Sequence, residues 1–368
     1  MRPILIILSV LLLLACDQQG PESSIDLNQA LGGATAQGFK RAERPRTFHF
    51  PQDHAAHPGF RNEWWYITGN LKDATGHHFG YQVTFFRIAL SPEQTSSASD
   101  WASHQVWMAH VALSDIHTGR HWHDQRLARG AAGLSGQSIR PFRIWLEDWQ
   151  IMGSEQGQFP WFIDLSTESF TLSLNIRPRK PVVLQGDQGL SRKSAEPGNA
   201  SYYYSFTRLE TQGEIAIGDR TLPVRGWSWL DREWSTSALA ANQAGWDWFS
   251  LQLHDGQELM FYRLRKKEGG TDSLSAGKWI YQDGQQLTLS ADDIELTPLR
   301  HWSSATGRRY PIAWDMRIPK LNKQLRIEAL LDDQEMETGI IYWEGAMRIR
   351  DANTKEPMGF GYLEMTGY

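Results

Sequence analysis

Arg225-Gly226-Trp227-Ser228-Trp229-Leu230-Asp231-Arg232-Glu233-Trp234-Ser235 crowds tryptophan and charge into one short stretch. Read as an extended strand, it turns Trp227, Trp229, Asp231 and Glu233 to one face and Leu230, Arg232 and Trp234 to the other. Two carboxyls then sit against indole rings. An apolar wall disfavours a charged carboxylate and raises its pKa, and a second carboxylate nearby pushes the same way. Indole faces also stabilise a cation formed in front of them. Asp231 and Glu233, with Trp229 beside them, are therefore candidate catalytic groups for protonating an alkene or another weak base. A second reading stands beside this one: tryptophans packing a core, with Asp231 or Glu233 paired to Arg225 or Arg232.

On either side of this stretch the chain is a succession of short strands. Tyr81-Gln82-Val83-Thr84-Phe85, Phe249-Ser250-Leu251-Gln252-Leu253 and Leu287-Thr288-Leu289 alternate in polarity. Turn signals separate such runs at His117-Thr118-Gly119-Arg120, Gly218-Asp219, Asp255-Gly256 and Asp283-Gly284. The chain has 17 Trp and 32 Gly and lacks a long amphipathic helical pattern, so the expected class is all-β, built from antiparallel barrels or sandwiches. Its length exceeds what one core usually organises. An internal echo agrees with duplication: Trp64 to Arg87 reads as aromatic strand, turn, strand, and Trp246 to Arg263 reads the same way. The expected domains are residues 45–235 and 236–368, with the small, polar run from Ser235 to Ala244 at the joint.

The N-terminus reads as a processing signal. After Arg2, the apolar run Ile4 to Leu14 is short for a membrane span and ends at Leu13-Leu14-Ala15-Cys16, which resembles a bacterial lipobox. The expectation is a signal peptide over residues 1–15, a lipidated Cys16, and a flexible tether to residue 44. Cys16 is the only cysteine, so the body carries no disulfide, as suits an exported protein. Asp17 after the cysteine resembles the signal that retains a lipoprotein at the periplasmic face of the inner membrane.

Net charge of −5, with no basic run beyond Arg177-Pro178-Arg179-Lys180-Pro181, argues against nucleic acid. Gln185-Gly186-Asp187-Gln188-Gly189-Leu190 lacks the Lys-Ser/Thr of a phosphate loop, and no Gly-x-Ser-x-Gly elbow occurs. Asp53, His54, His57 and Glu63, or His121 with His123, could be arranged as a metal set, but such histidines more often make ordinary hydrogen bonds. No metal or cofactor is expected. His110, within Val106-Trp107-Met108-Ala109-His110-Val111-Ala112-Leu113, is either a satisfied core histidine or a pocket residue. In Tyr202-Tyr203-Tyr204 the rings fall on both faces of a strand, so part of the triplet is core and part can line a cavity.

Several motifs together resemble the carotenoid 1,2-hydratase and AttH-like lipocalin family. They are Phe48-His49-Phe50-Pro51-Gln52-Asp53-His54, Glu63-Trp64-Trp65-Tyr66-Ile67-Thr68-Gly69, Leu184-Gln185-Gly186-Asp187, Ala200 to Ser205, the Arg225 to Ser235 stretch, Gly245-Trp246-Asp247-Trp248-Phe249-Ser250, Tyr342-Trp343-Glu344-Gly345 and Gly361 to Tyr368. The resemblance implies two tandem lipocalin-like barrels and an apolar ligand of isoprenoid or lipid type. Trp229-Leu230-Asp231 is similar to the aromatic-x-Asp segment in which the hydratases' acid lies, with Trp where they tend to carry Tyr. The export signal looks more like the AttH-type branch, which implies a partnership with inner-membrane ABC-type export components. Two functions follow: a tethered periplasmic binding protein for an apolar ligand, or an acid-dependent hydratase or isomerase using Asp231. For the ligand itself the candidates are Trp65, Tyr204, Arg225, Trp227 and His110.

Overall fold

The structure, a computed structural model, describes residues 37–93, 99, 101–236 and 239–368. The signal peptide, Cys16 and the tether up to residue 36 lie outside the described residues. The described chain is two tandem lipocalin-like antiparallel β-barrels, each a curled, nearly closed sheet. The helices among the described residues are three single 3-10 turns, and none is long and apolar enough to cross a membrane.

The first sheet has thirteen strands among the described residues. They are β1 (Asn62–Asp73), β2 (His78–Ala89), β3 (Gln105–Asp115), β4 (Arg120–Arg129), β5 (Ser135–Ile139), β6 (Phe142–Leu146), β7 (Trp149–Met152), β8 (Trp161–Ser166), β9 (Thr171–Pro178), β10 (Val183–Leu184), β11 (Leu190–Arg192), β12 (Ala200–Ile217) and β13 (Arg220–Ser235). Their order is β4-β3-β2-β1-β13-β12-β9-β8-β7-β6-β5, with β10 and β11 on β12. The second sheet comprises β14 (Gln243–Leu253), β15 (Glu258–Lys266), β16 (Ala276–Ile280), β17 (Gln286–Ser290), β18 (Glu295–Ser303), β19 (Arg309–Ile318), β20 (Lys323–Ala329), β21 (Glu335–Glu337), β22 (Ile341–Asp351) and β23 (Pro357–Met365). Its order is β17-β16-β15-β14-β23-β22-β20-β19-β18, with β21 on β22. In both, the last strand returns to pair with the first: β13 with β1, and β23 with β14.

The sequence echo has a structural basis. Glu63 on β1 lies opposite Arg87 on β2, and Asp247 on β14 lies opposite Arg263 on β15. Each carboxylate is ion-paired to that arginine. The turn signals fall where expected: Gly256 (φ 81°) and Gly284 (φ 88°) take the left-handed backbone that closes the β14–β15 and β16–β17 hairpins.

Period-two alternation fills each barrel. Trp65, Ile67, Tyr81, Val83, Phe85, Trp107 and Leu230 point into the first, and Phe249, Trp279, Trp314, Trp343 and Leu363 into the second. A further apolar layer joins the outer faces of the two sheets, made by Tyr66, Tyr203, Trp229, Trp248, Met260, Tyr262, Leu264, Ala346 and Tyr362. The sheets approach so closely there that a Cβ on Gly80 would meet the Ala346 Cβ at 2.6 Å. Polar clasps rim the contact: Asn70 Nδ2 donates to the Gly361 carbonyl (3.1 Å), Gln252 Nε2 to those of Thr207 (2.7 Å) and Ser228 (3.0 Å), and Lys180 Nζ to Glu258 Oε2 (2.7 Å).

Candidate active site between the two domains

Both barrel interiors are packed, and a cavity of about 100 Å³ opens between their outer faces. The first domain contributes Trp64 and Tyr66 from β1, Thr84 and Phe86 from β2, His110 from β3, Lys193, Tyr203 from β12, and Asp231, Glu233 and Ser235 from β13. The second contributes Trp246 and Trp248 from β14, Tyr262 and Leu264 from β15, Tyr342 and Glu344 from β22, Glu364 from β23, and Thr366 just after it. The walls are largely aromatic, and the polar groups converge from both sides.

Alternation along β13 decides who faces this cavity. Asp231 and Glu233 face it, beside Tyr66 and Trp64 on β1 and Ser205 and Tyr203 on β12 in the strand register. Arg232 and Trp234 face the first barrel instead. The expected pairing of Asp231 or Glu233 with Arg225 or Arg232 is therefore not found. Arg232 is fully buried, binds the Glu63 carboxylate and lies 3.7 Å from the Trp65 ring centre. Arg225 is exposed. Glu233 pairs with Lys193 (3.1 Å), whose Nζ sits 4.3 Å from the Tyr262 ring centre. Burial opposes the Lys193 charge, but Glu233 and the Tyr262 phenol outweigh it, so the ammonium is held more firmly than usual.

Asp231 is 3% exposed. Its Oδ1 accepts from Ser205 Oγ (2.5 Å) and Trp229 Nε1 (2.7 Å), and its Oδ2 from the Tyr203 hydroxyl. Tyr203 accepts in turn from Trp248 Nε1 (3.1 Å). Burial raises the carboxyl, the three donors lower it, and nearby Glu233 raises it again, leaving it pushed up to about 7. The residue is thus clamped in orientation and poised to give or take a proton near neutrality. Tyr203, from the neighbouring strand, supplies the phenol that position 229 lacks.

Facing it, Glu344 on β22 is paired in register with Glu364 on β23. Burial raises both: Glu364 is pushed up to about 8 against a hydrogen bond from Trp246 Nε1 (3.2 Å), and Glu344 well above the usual range, with Glu364 adding to the effect. Glu364 is half-buried and part of its surface opens into the cavity. The Tyr66 and Tyr342 phenols lie against Glu344 and favour its charge, yet neither of its oxygens, nor the Tyr66 hydroxyl, closes a hydrogen bond of ordinary geometry. His110 Nδ1 shares a hydrogen bond with the Tyr342 hydroxyl (2.9 Å) while its Nε2 has no partner. Burial, then the charge of His123, lowers His110 to about 3, so it is neutral.

Among the residues singled out from sequence, Asp231, Glu233 and His110 line the cavity, and the buried Trp229 supports Asp231 through its Nε1. Trp65 and Tyr204 do not: Trp65 Nε1 donates to the His54 carbonyl (2.8 Å) inside the first barrel, and the Tyr204 hydroxyl bonds His54 Nδ1 (2.7 Å). Trp227 is on the surface, 38% exposed, with the Arg208 guanidinium 5.2 Å from its ring centre. Asp53, His57 and Glu63 are engaged with one another and with Arg46, Arg87 and Arg232. Among the described residues, no group of three or more His, Cys, Asp or Glu is placed to hold a metal ion. Sequence reasoning gave no role to Lys193, Glu344, Glu364, Trp246 or Trp248. The available signal was a lone carboxylate within an apolar strand, as in Tyr342-Trp343-Glu344-Gly345 and Tyr362-Leu363-Glu364-Met365.

The fold and this site define a two-barrel β protein with buried acids at the domain interface. A family model for AttH-like proteins matches residues 41–368, and the chain belongs to that family. A solved AttH-type structure from Nitrosomonas europaea is 36% identical, with a TM-score of 0.80 over 90% of this chain and 100% of that one. Kievitone hydratase of Fusarium solani subsp. phaseoli is 23% identical over 83% of this chain and 82% of its own length. The dehydratase asqC of Emericella nidulans is 24% identical over 55% of this chain, which spans 60% of that protein's length. The kievitone hydratase structure from Nectria haematococca shares the fold, with a TM-score of 0.64 at 15% identity.

Proposed function

We propose that the protein is a hydro-lyase or double-bond isomerase acting on an apolar, alkene-bearing ligand of isoprenoid or lipid type, with Asp231 as its proton donor. The observation that carries this reading is a carboxyl buried at the aromatic cavity, without a cation partner and neutral over much of the range below pH 7. Its proton adds to an alkene carbon, leaving a cation that the faces of Trp64, Trp246 and Trp248 stabilise. Water then bonds to that cation and gives up a proton, or a proton is lost from a neighbouring carbon and the double bond has moved. Two distant relatives named as a hydratase and a dehydratase support this class of chemistry.

Kievitone, taken from the name of one relative, serves as a first substrate to offer. Asp231→Asn should lower turnover by about 10²–10⁴-fold while binding is retained. Turnover undiminished in that variant would remove Asp231 from the role. A carrier role draws on the same cavity and is favoured instead if wild type retains ligand without ever converting it.

The proposed setting is the periplasmic face of the inner membrane, with Cys16 lipidated and ABC-type export components as partners. The lipobox-like Leu13-Leu14-Ala15-Cys16 and Asp17 support it. Labelling with a palmitate analogue should be lost in Cys16→Ser, and label persisting there would sink the anchor.

A further inference from the structure

Four cavity residues carry buried polar atoms that close no hydrogen bond of ordinary geometry, although the Tyr66 and Tyr342 phenols lie against Glu344. They are the Tyr66 hydroxyl, both carboxyl oxygens of Glu344, His110 Nε2 and Glu233 Oε1. Glu233 Oε1 is accounted for by Lys193 at 3.1 Å. The other three residues are no more than 5% exposed, and a polar group whose bonding is incomplete at such depth is costly unless something completes it. They come from β1 and β3 of the first sheet, with β2 between them, and from β22 of the second, so only the assembled pair of domains brings them together.

The duplication sharpens the point. Glu233 and Glu364 hold equivalent places, each opposite the cavity tryptophan of its own domain, Trp64 or Trp248. The neighbour of Glu233 is Tyr203, and that of Glu364 is Glu344. In the first domain the carboxylate is answered by Lys193. Two carboxyls occupy the matching places in the second, and no ion pair involves either of them among the described residues. Such a pair retains a proton, which makes it a donor as well as an acceptor.

We propose that Glu344, Tyr66 and His110 form an oxygen subsite, so that the ligand is an oxygenated isoprenoid or similar lipid whose hydroxyl lies against Glu344 while its carbon chain reaches Asp231. This rests on the hydro-lyase reading and divides the labour within it: Asp231 handles the proton on carbon and Glu344 the proton on oxygen. In dehydration, the Glu344 proton passes to the hydroxyl as the C–O bond breaks and water leaves. The proton on the neighbouring carbon passes to the Asp231 carboxylate as its bonding pair forms the double bond. Hydration is the reverse, and each turnover moves one proton between the two acids, which water exchanges back. Tyr66 supplies a donor and His110 a neutral imidazole nitrogen to fix the oxygen.

The test compares geraniol with myrcene, the hydrocarbon left when geraniol loses water, by quenching of the cavity tryptophans in the full protein. Wild type should bind geraniol roughly tenfold more tightly than myrcene, the worth of one or two hydrogen bonds to groups otherwise unsatisfied. Glu344→Leu should abolish that preference by weakening geraniol alone, and Glu344→Gln should restore part of it, with unchanged melting behaviour reporting an intact fold. Equal binding of the two probes to wild type overturns the oxygen subsite and leaves the apolar-ligand reading standing. Binding of neither overturns that parent reading and this inference with it. A preference that survives in Glu344→Leu overturns the assignment to Glu344.

Discussion

Glu63 and Asp231 are buried carboxyls on neighbouring strands, three register positions apart, and they are driven in opposite directions. Glu63 faces into the first barrel. Burial alone would raise it, but the Arg87 and Arg232 guanidiniums and His57 hold it well below the usual carboxylate range. Asp231 faces the interdomain cavity, accepts hydrogen bonds from neutral donors, forms no ion pair because the nearby Lys193 ammonium is paired to Glu233, and is pushed up to about 7. Burial by itself therefore does not make an acid; burial without a cation does. The strand pleat separates the two environments, because Arg232 lies next to Asp231 in the chain yet serves Glu63 on the other face of the sheet.

The comparison also fixes the signs of two pH responses. The folded pKa of Glu63 is lowered, so the stability it contributes is present above its unfolded value and is lost only in strong acid. The folded pKa of Asp231 is raised, so its contribution is complete below about 3.8 and is lost as pH rises through about 7. Melts at pH 5 and pH 8 can break this contrast. The larger effect belongs to Arg232→Leu, which leaves the buried Glu63 carboxylate with only one of its two arginines and should cost about 3 kcal/mol at both pH values. Asp231→Asn should be smaller and of changing sense. The amide keeps Oδ1 for Ser205 and Trp229 and can donate to the Tyr203 oxygen, so stability stays within about 1 kcal/mol of wild type at pH 5. At pH 8 the variant gains roughly 2 kcal/mol on wild type, which must by then carry a buried charge. A uniform loss of several kcal/mol in Asp231→Asn would mean that a cation holds it after all.

Much of the fold was legible because it rests on local rules. Alternation marked the strands, Asp255-Gly256 and Asp283-Gly284 marked hairpins, and the two aromatic segments ending in Arg87 and Arg263 proved to be equivalent hairpins. The division of β13 into an Asp231–Glu233 face and an Arg232–Trp234 face was readable for the same reason. Partners were not readable, because Arg232 meets a carboxylate 169 residues away and register is set by tertiary pairing. Trp65 and Tyr204 illustrate the same limit: aromaticity made them plausible cavity walls, but the parity of their strands turns them into the barrel. Glu344 and Glu364 escaped because their environment is created by two sheets docking face to face, which no single strand pattern encodes.

The central claim is that Asp231 is an unpaired, neutral-range acid, and carboxyl-carbon NMR of protein labelled at aspartate, followed from acid to alkaline pH, reads it directly. One aspartate resonance should titrate near pH 7 in wild type and be missing from Asp231→Asn. If the resonance missing from the variant titrates at or below the ordinary aspartate value of about 4, Asp231 is charged at neutral pH and the account is contradicted.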